Sequence, residues 1–192
     1  MNISIVLPAK NESAAIGQTI TQIQQLQLAD EIIVVNDGSI DQTKQVAEEA
    51  GAKVVTHPYS KGNGAAIKTG ARTATGDVII FMDADGQHDP QDIPKLLEKI
   101  NEGYDLVVGA RQKGSQASVG RGVANALYNN LATYMTEQKV EDLTSGFRAV
   151  RADKFREFLY LLPNGFSYPT TSTMAFFRAG YSVTYVPIHA AK

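Results

Sequence analysis

An α/β domain with a Rossmann-like, mostly parallel sheet and helices on both faces is what this sequence predicts. Three observations carry the prediction. Short apolar runs alternate with segments of helical period along the first 110 residues, and the connections between them are short. The apolar runs also lack strict polar alternation, as expected of strands covered on both sides.

Residues 3–7 read as a buried strand. Residues 14–28 place Ile16, Ile20, Ile23 and Leu26 at helical spacing. Residues 31–35 form the next strand around IIVV. A short helix over 43–50 ends at Gly51, and a third strand covers 53–56. After a glycine-rich turn, 65–74 is helical, and 77–82 is a fourth strand around VIIFM. Asp89-Pro90 has the form of an N-cap followed by proline at the first helical position, opening a helix to about residue 102. A fifth strand covers 104–108. Residues 110–122, rich in Gly, Ser, Gln and basic side chains, read as a loop. The remainder reads as helix over 123–138, strand over 144–150, helices over 152–161 and 168–177, and a last strand over 182–186.

The chain has 192 residues, enough for one domain with a sizeable core, and we read 1–192 as a single domain. Hydrophobic residues make up 43% and charged residues 20%, which excludes a disordered chain. A formal net charge of -2 shows none of the basic footprint of a nucleic-acid binder. The absence of cysteine excludes disulfides, cysteine nucleophiles and thiolate metal sites. The N-terminal apolar run is broken by Pro8 and Lys10, unlike a signal peptide, and the run 78–82 is far short of a membrane span. A soluble, cytoplasmic domain is expected. The stop at 189–192, directly after a strand, leads us to expect truncation at the C-terminus.

Four segments carry chemistry. In FMDADGQHDP, a buried strand ends in Asp83 and Asp85, with small Ala84 between them and Gly86 turning the chain. Two close carboxylates repel each other and suit a hard cation with oxygen ligands, with open positions left for phosphate oxygens. The same position, at the carboxyl end of a sheet strand, is where α/β proteins bind ligands. An EF-hand is excluded by His88 and Pro94 at positions that need Gly and Glu. In VVNDGSIDQT, Asp37 stands at a strand tip, and Ser39, Asp41 and Thr43 offer capping oxygens to the next helix. In LPAKNES, strand one ends at Pro8, and polar Asn11 and Glu12 precede a helix. The glycine pattern of a dinucleotide fold is missing there, against a dehydrogenase. In SKGNGAAIKTG, Ile67 stands where a phosphate-binding P-loop needs its second glycine, so Lys61, Gly62 and Gly64 read as a turn close to a ligand. His57 and His88 do not read as metal ligands.

Taken in this order with DLTSGFRAV, these segments resemble the family 2 glycosyltransferases of GT-A fold, and most of all the dolichyl- or polyprenyl-phosphate sugar synthases. The resemblance spans residues 3–188. It implies that Pro8, Ala9, Asn11 and Glu12 line a nucleotide pocket, with Lys61 and Gly64 nearby. It implies that Asp37 contacts the base or ribose, and that Asp83, Ala84, Asp85 and Gln87 surround the diphosphate. Asp83, Asp85 and Gln87 would hold Mg²⁺ or Mn²⁺. Arg111 and Arg121 match acceptor-side arginines, and Asp142 matches the acceptor-side acid. Residues 1–110 would then be the nucleotide-sugar half and 111–192 the acceptor half.

The implied activity is inverting transfer of a hexose from a UDP- or GDP-hexose to a polyprenyl phosphate, with peripheral membrane contact at the cytoplasmic face in a full-length protein. A lipid phosphate is already anionic and needs only positive charge for placement, which Arg111 and Arg121 can supply. Two alternatives stay open on sequence. One has a saccharide hydroxyl as acceptor, with Asp142 as general base. The other is a non-catalytic nucleotide-sugar-binding domain.

Overall fold

The computed structural model describes residues 1–111 and 140–189. Seven strands form one sheet: β1 (Ile3–Ala9), β2 (Glu31–Asn36), β3 (Lys53–Thr56), β4 (Val78–Phe81), β5 (Leu106–Arg111), β6 (Arg148–Arg151) and β7 (Val183–Ile188). Their order is β3-β2-β1-β4-β6-β5-β7. All pairings are parallel except those of β6, which runs antiparallel to both β4 and β5.

Apolar residues on both sides of each strand make two cores. Ile5, Leu7, Val34 and Ile80 face one, shared with helices α1 (Ile16–Gln25), α2 (Thr43–Glu49) and α4 (Ile93–Asn101). Val6, Ile33, Val35, Ile79 and Phe81 face the other, shared with α3 (Asn63–Thr73), α5 (Ala152–Arg156) and α6 (Tyr168–Arg178). The continuous apolar runs thus reflect a sheet buried on both faces. Helix α1 buries Ile16, Thr19, Ile20 and Ile23, the stripe its period requires. Among the described residues no helix is long and apolar enough to cross a membrane.

Several boundaries differ from the sequence reading. Strand β5 runs to Arg111, because Gly109, Ala110 and Arg111 pair with Val186, Pro187 and Ile188 of β7. Ala110 and Arg111 therefore sit on a strand and not in a loop. Residues 144–147 are not strand: the Asp142 carboxylate accepts the N–H groups of Thr144 and Ser145 and turns the chain before β6 begins. The helix expected over 152–161 stops at Arg156 and gives way to turns ahead of Pro163. Asp89 does cap, accepting the Gln91 N–H at 2.9 Å, but a 3₁₀ turn over Pro90–Asp92 precedes α4. The helix expected over 123–138, and Arg121, lie outside the described residues.

Candidate active site

The chain order reverses between β1 and β4: β2 and β3 continue to one side of β1 and β4 starts the other. Open α/β sheets have a crevice at the carboxyl ends of strands on either side of such a switch point. Here a cleft of about 660 Å³ opens there, lined by Pro8, Ala9, Glu12 and Asp37 from the ends of β1 and β2, and by Asp83, Ala84 and Asp85 beyond β4. Arg111, at the end of β5, faces it from the opposite wall.

The loop after β1 is fixed by the loop after β2. Asn11, with a left-handed φ of 58°, donates its N–H to Ser39 Oγ at 2.9 Å and accepts the Ile40 N–H at Oδ1. The Glu12 N–H donates to Thr43 Oγ1 at 2.8 Å, and that of Ser13 to Asp41 Oδ2 at 3.1 Å. Of the three residues expected to cap α2, Asp41 accepts the Thr43 N–H and the Thr43 hydroxyl; the N-cap position is Gln42, without a side-chain bond. Their oxygens serve mainly to satisfy the orphan donors that lead into α1, which parallel pairing of β1 with β2 brings alongside.

Asp37 is 4% exposed, and its carboxylate is fully engaged. Oδ1 accepts from His57 Nδ1 at 2.6 Å and from the Lys61 N–H at 2.8 Å; Oδ2 accepts from the Ser60 hydroxyl at 2.8 Å and the Gly62 N–H at 2.9 Å. A carboxylate has about four lone-pair sites, and all are taken. Burial works against the charge, but the bonds from His57, Lys61, Ser60 and Gly62 outweigh it and hold the carboxyl below the usual range. His57, buried, has its Nε2 2.9 Å from Thr69 Oγ1, which ties the assembly to α3.

The glycines of KGNG answer to the protein's own backbone. A Cβ on Gly64 would lie 2.1 Å from the Pro163 carbonyl oxygen, and one on Gly62 2.4 Å from that of Asn164. The 162–165 turn crosses the start of α3 there. The Ala65 N–H donates to the Asn164 oxygen, and Lys68 Nζ donates to the Leu162 carbonyl and Asn164 Oδ1.

Asp83 is partly exposed, 3.3 Å from His88 Nε2, and lies so close to Gly146 that a Cβ there would meet its Oδ2 at 2.8 Å. Asp85 is exposed, and its Oδ1 accepts the Gln87 N–H. Glu12 across the cleft is raised above the usual carboxylate range by burial first, then by Asp85, Asp41 and Asp83. The three carboxylates line one cleft, although among the described residues no three His, Asp or Glu side chains stand close enough together to form a ligand cluster by themselves. Such a donor set fits Mg²⁺ or Mn²⁺ bound by one or two carboxylates, with the other positions filled by phosphate oxygens and water.

On the opposite wall Arg111 and Asp142 form a forked pair: Nε to Oδ2 at 2.9 Å and Nη2 to Oδ1 at 3.1 Å, with Nη2 also donating to Thr144 Oγ1. Asp142 Oδ1 further accepts the N–H groups of Thr144 and Ser145 and the Thr144 hydroxyl. Burial opposes its charge, but Arg111 and Thr144 prevail and keep the carboxyl below the usual range. Behind this turn Arg148 is wholly buried and donates to the Ser145 and Pro169 carbonyls and the Ser172 hydroxyl, joining the turn to α6.

Of the residues expected in the site, Pro8, Ala9, Glu12, Asp37, Asp83, Ala84, Asp85 and Arg111 line the cleft. Asn11, Lys61, Gly64, Gln87 and Asp142 stand behind it or beside it, shaping the segments that do. Sequence reasoning missed Ser60, Asn63, Thr144, Gly146, Phe166 and Tyr168 in the lining. Thr144 and Gly146 lie within the DLTSGFR segment and were open to discovery there; Phe166 had no sequence signal, since only the crossing at α3 brings it to the cleft.

Comparison with known proteins agrees with this architecture. The chain is 34% identical over 181 residues to the dolichol-phosphate mannosyltransferase of Pyrococcus furiosus, covering 86% of this chain and 50% of that protein. It is 29% identical over 189 residues to the dolichyl-phosphate hexose transferase of Haloferax volcanii, covering 97% and 82%. Against the crystal structure of glucosyl-3-phosphoglycerate synthase from Mycobacterium tuberculosis with Mn²⁺, UDP-glucose and phosphoglyceric acid, the TM-score is 0.78 at 27% identity, covering all of this chain and 71% of that one. Several curated relatives are longer, and the chain spans 48% to 63% of their length. The family model for glycosyl transferase family 2 matches residues 4–159. With its GT-A sheet, its crevice at the β1/β4 switch point and its aspartate pair beyond β4, the chain belongs to glycosyl transferase family 2.

Proposed function

We propose that this protein moves a hexose from a UDP- or GDP-hexose to a polyprenyl phosphate. The observation that carries the choice of acceptor is the state of Asp142. A hydroxyl nucleophile needs a base to take its proton. Asp142 has its lone pairs turned into Arg111, Thr144 and Ser145, and its affinity for a proton is lowered. Among the described residues that line the cleft, the segments from β5 onward present Arg111, Thr144, Gly146, Phe166, Tyr168 and Pro169, and the lining carboxylates, Glu12, Asp37, Asp83 and Asp85, all come from the donor-side segments before β5. A phosphate monoester requires none, because it arrives already ionised. The relatives named for dolichyl- and dolichol-phosphate transfer support the same acceptor class.

In this reading residues 1–110 hold the donor and 111–192 the acceptor. Pro8, Ala9 and Glu12 form the floor of the nucleotide pocket. Asp37 acts by holding the turn of Lys61 and Gly62 against it. Asp83 and Asp85, with Gln87 beside them, would hold Mg²⁺ or Mn²⁺, and the ion would supply positive charge to offset that of the departing nucleoside diphosphate. Asp142 orients Arg111 rather than removing a proton, and Arg111, which lines the cleft, offers its positive charge to an anionic acceptor. The attacking oxygen is the acceptor phosphate's own, approaching the anomeric carbon opposite the diphosphate. Arg121 is a second cation proposed for the same acceptor.

The test is incorporation of radiolabelled sugar into a lipid extract, with Arg111→Lys against wild type. A point charge in place of a fork should lower transfer about tenfold, with nucleotide binding little changed. Equal transfer to a free saccharide, indifferent to Arg111, would overturn the lipid-phosphate acceptor.

A further inference from the structure

Behind the acceptor-side wall stands a charge that the transfer chemistry has not used. Arg148, the first residue of β6, is 0% exposed. Its guanidinium donates to the carbonyls of Ser145 and Pro169 and to the hydroxyls of Ser172 at 2.8 Å and Thr173 at 3.3 Å, all of them neutral. Among the described residues no carboxylate accepts from it. Burial lowers its affinity for a proton, yet a guanidinium stays charged in a protein. An ion buried without a bonded counter-ion is costly, and neutral donors can tie a turn to a helix at lower cost.

Its neighbours place that charge one residue behind the cleft. Ser145 lies between Thr144 and Gly146, and Pro169 follows Tyr168; Thr144, Gly146, Tyr168 and Pro169 all line the cleft. The guanidinium carbon is 5.7 Å from the centre of the Tyr168 ring. Through a wall shielded from water a charge acts farther than through solvent. The balance of charge around it is uneven. Arg111, which lines the cleft itself, is forked to Asp142, so that pair carries no net charge. The acids that act on Arg148 through space are Asp142 and Asp83. Asp142 is already matched by Arg111, and Asp83 is assigned to the divalent ion. The two tyrosines that act on it, Tyr168 and Tyr185, are pushed above the usual phenol range by burial and stay neutral. The described residues thus leave one buried cation behind this wall without an anion of its own.

We infer that Arg148 is a positioning residue for the acceptor, and that its charge, acting through the wall of Gly146 and Tyr168, draws the acceptor's phosphate into the cleft, where Arg111 meets it. A neutral saccharide would gain little from that field, whereas an anion entering beside the bound metal completes the balance. The ligand named here rests on the proposed lipid-phosphate acceptor; the unmatched cation does not.

The test uses the full chain saturated with Mg²⁺ and UDP or GDP, with farnesyl phosphate as a water-soluble probe. Calorimetry measures its binding, and transfer of labelled sugar from the matching nucleotide-sugar measures its use. Arg148→Met removes the charge and keeps the length. It should weaken farnesyl phosphate binding, and raise its KM, at least about tenfold, the scale of one charge acting through a protein wall. The kcat and metal-supported nucleotide binding should change by less than about threefold. Arg148→Lys restores the charge but not the fork, and should recover most of the lost affinity. A tie between turn and helix alone predicts otherwise, since lysine cannot make the forked bonds and would fare as badly as methionine. Should Arg148→Met not fold, Arg148→Gln, neutral but able to donate to Ser145, takes its place. The inference is overturned if farnesyl phosphate binds the neutral variant as tightly as wild type, or if lysine does not restore what methionine loses; sugar transfer by wild type then still supports the acceptor. If binding follows the charge but farnesyl phosphate receives no sugar, Arg148 stands as an anion-positioning residue and the acceptor assignment fails. A wild type that does not bind farnesyl phosphate overturns both.

Discussion

Replacing Asp37 by alanine tests whether this acid touches the donor or builds the wall that does. In the folded chain its carboxylate satisfies His57 Nδ1, the Ser60 hydroxyl and the N–H groups of Lys61 and Gly62. Truncation leaves three donors without an acceptor, since the Ser60 hydroxyl can rotate towards water. A buried donor left unsatisfied costs about 1–3 kcal/mol. Asp37, Ser60 and Gly62 line the cleft, where the truncated site would be open to water, so the lower figure applies, and three donors give about 3 kcal/mol. For a chain of this size that corresponds to a fall of about 6–12 °C in Tm. Differential scanning calorimetry without ligand measures it directly, and titration calorimetry with UDP or GDP and Mn²⁺ measures nucleotide affinity beside it. We expect Tm to fall by that amount, and affinity to fall as a consequence of a loosened turn at Lys61 and Gly62. A variant that melts within about 2 °C of wild type, less than the shift for one lost bond, yet has lost its nucleotide would refute the argument. Asp37 would then be a direct ligand contact whose four bonds are incidental.

Other outcomes follow from the same geometry. Asp85→Ala removes an exposed carboxylate at the strand tip and should weaken metal-supported UDP or GDP binding at least about tenfold, with Tm little changed; calorimetry with and without EDTA checks it. Gly64→Ala forces a methyl group against the Pro163 carbonyl at 2.1 Å and should destabilise the domain by about 1–3 kcal/mol in urea unfolding. Acid should destabilise the fold through Asp37, Asp105 and Asp142, whose carboxyls are all held below the usual range. Depressed carboxyls contribute fully above their unfolded pKa of about 4, and that contribution is lost as pH falls through the folded values. Tm against pH should thus be flat near neutrality and decline below about pH 4, with Asp142→Asn flattening the decline.

Sequence alone determined whatever depends on near neighbours in the chain. The period of Ile16, Ile20 and Ile23 set the buried stripe of α1, the unbroken apolar runs marked strands covered on both faces, and Asp89 before Pro90 marked a helix start. The Asp83-Ala84-Asp85 pair was legible because a strand's end and the residues after it are local facts, and an aspartate pair at that place has few other uses. Tertiary structure decided everything that depends on which distant segment lies opposite. Antiparallel β6, inserted between β4 and β5, is a matter of sheet order and not of strand propensity. Pairing with β7 carried Arg111 onto a strand, where the sequence read a loop. Ser39, Asp41 and Thr43 bond across to residues 11–13 because parallel pairing sets the ends of β1 and β2 side by side. Asp37 and Asp142 read from the chain as acids free for a ligand, or for a proton. Their hydrogen-bond partners, 20 to 31 residues away for His57 and Arg111, are what lead us to propose positioning roles for both. A carboxylate's chemistry is set by who occupies its lone pairs and by how far it is from water, and neither quantity is written in its own neighbourhood of the chain.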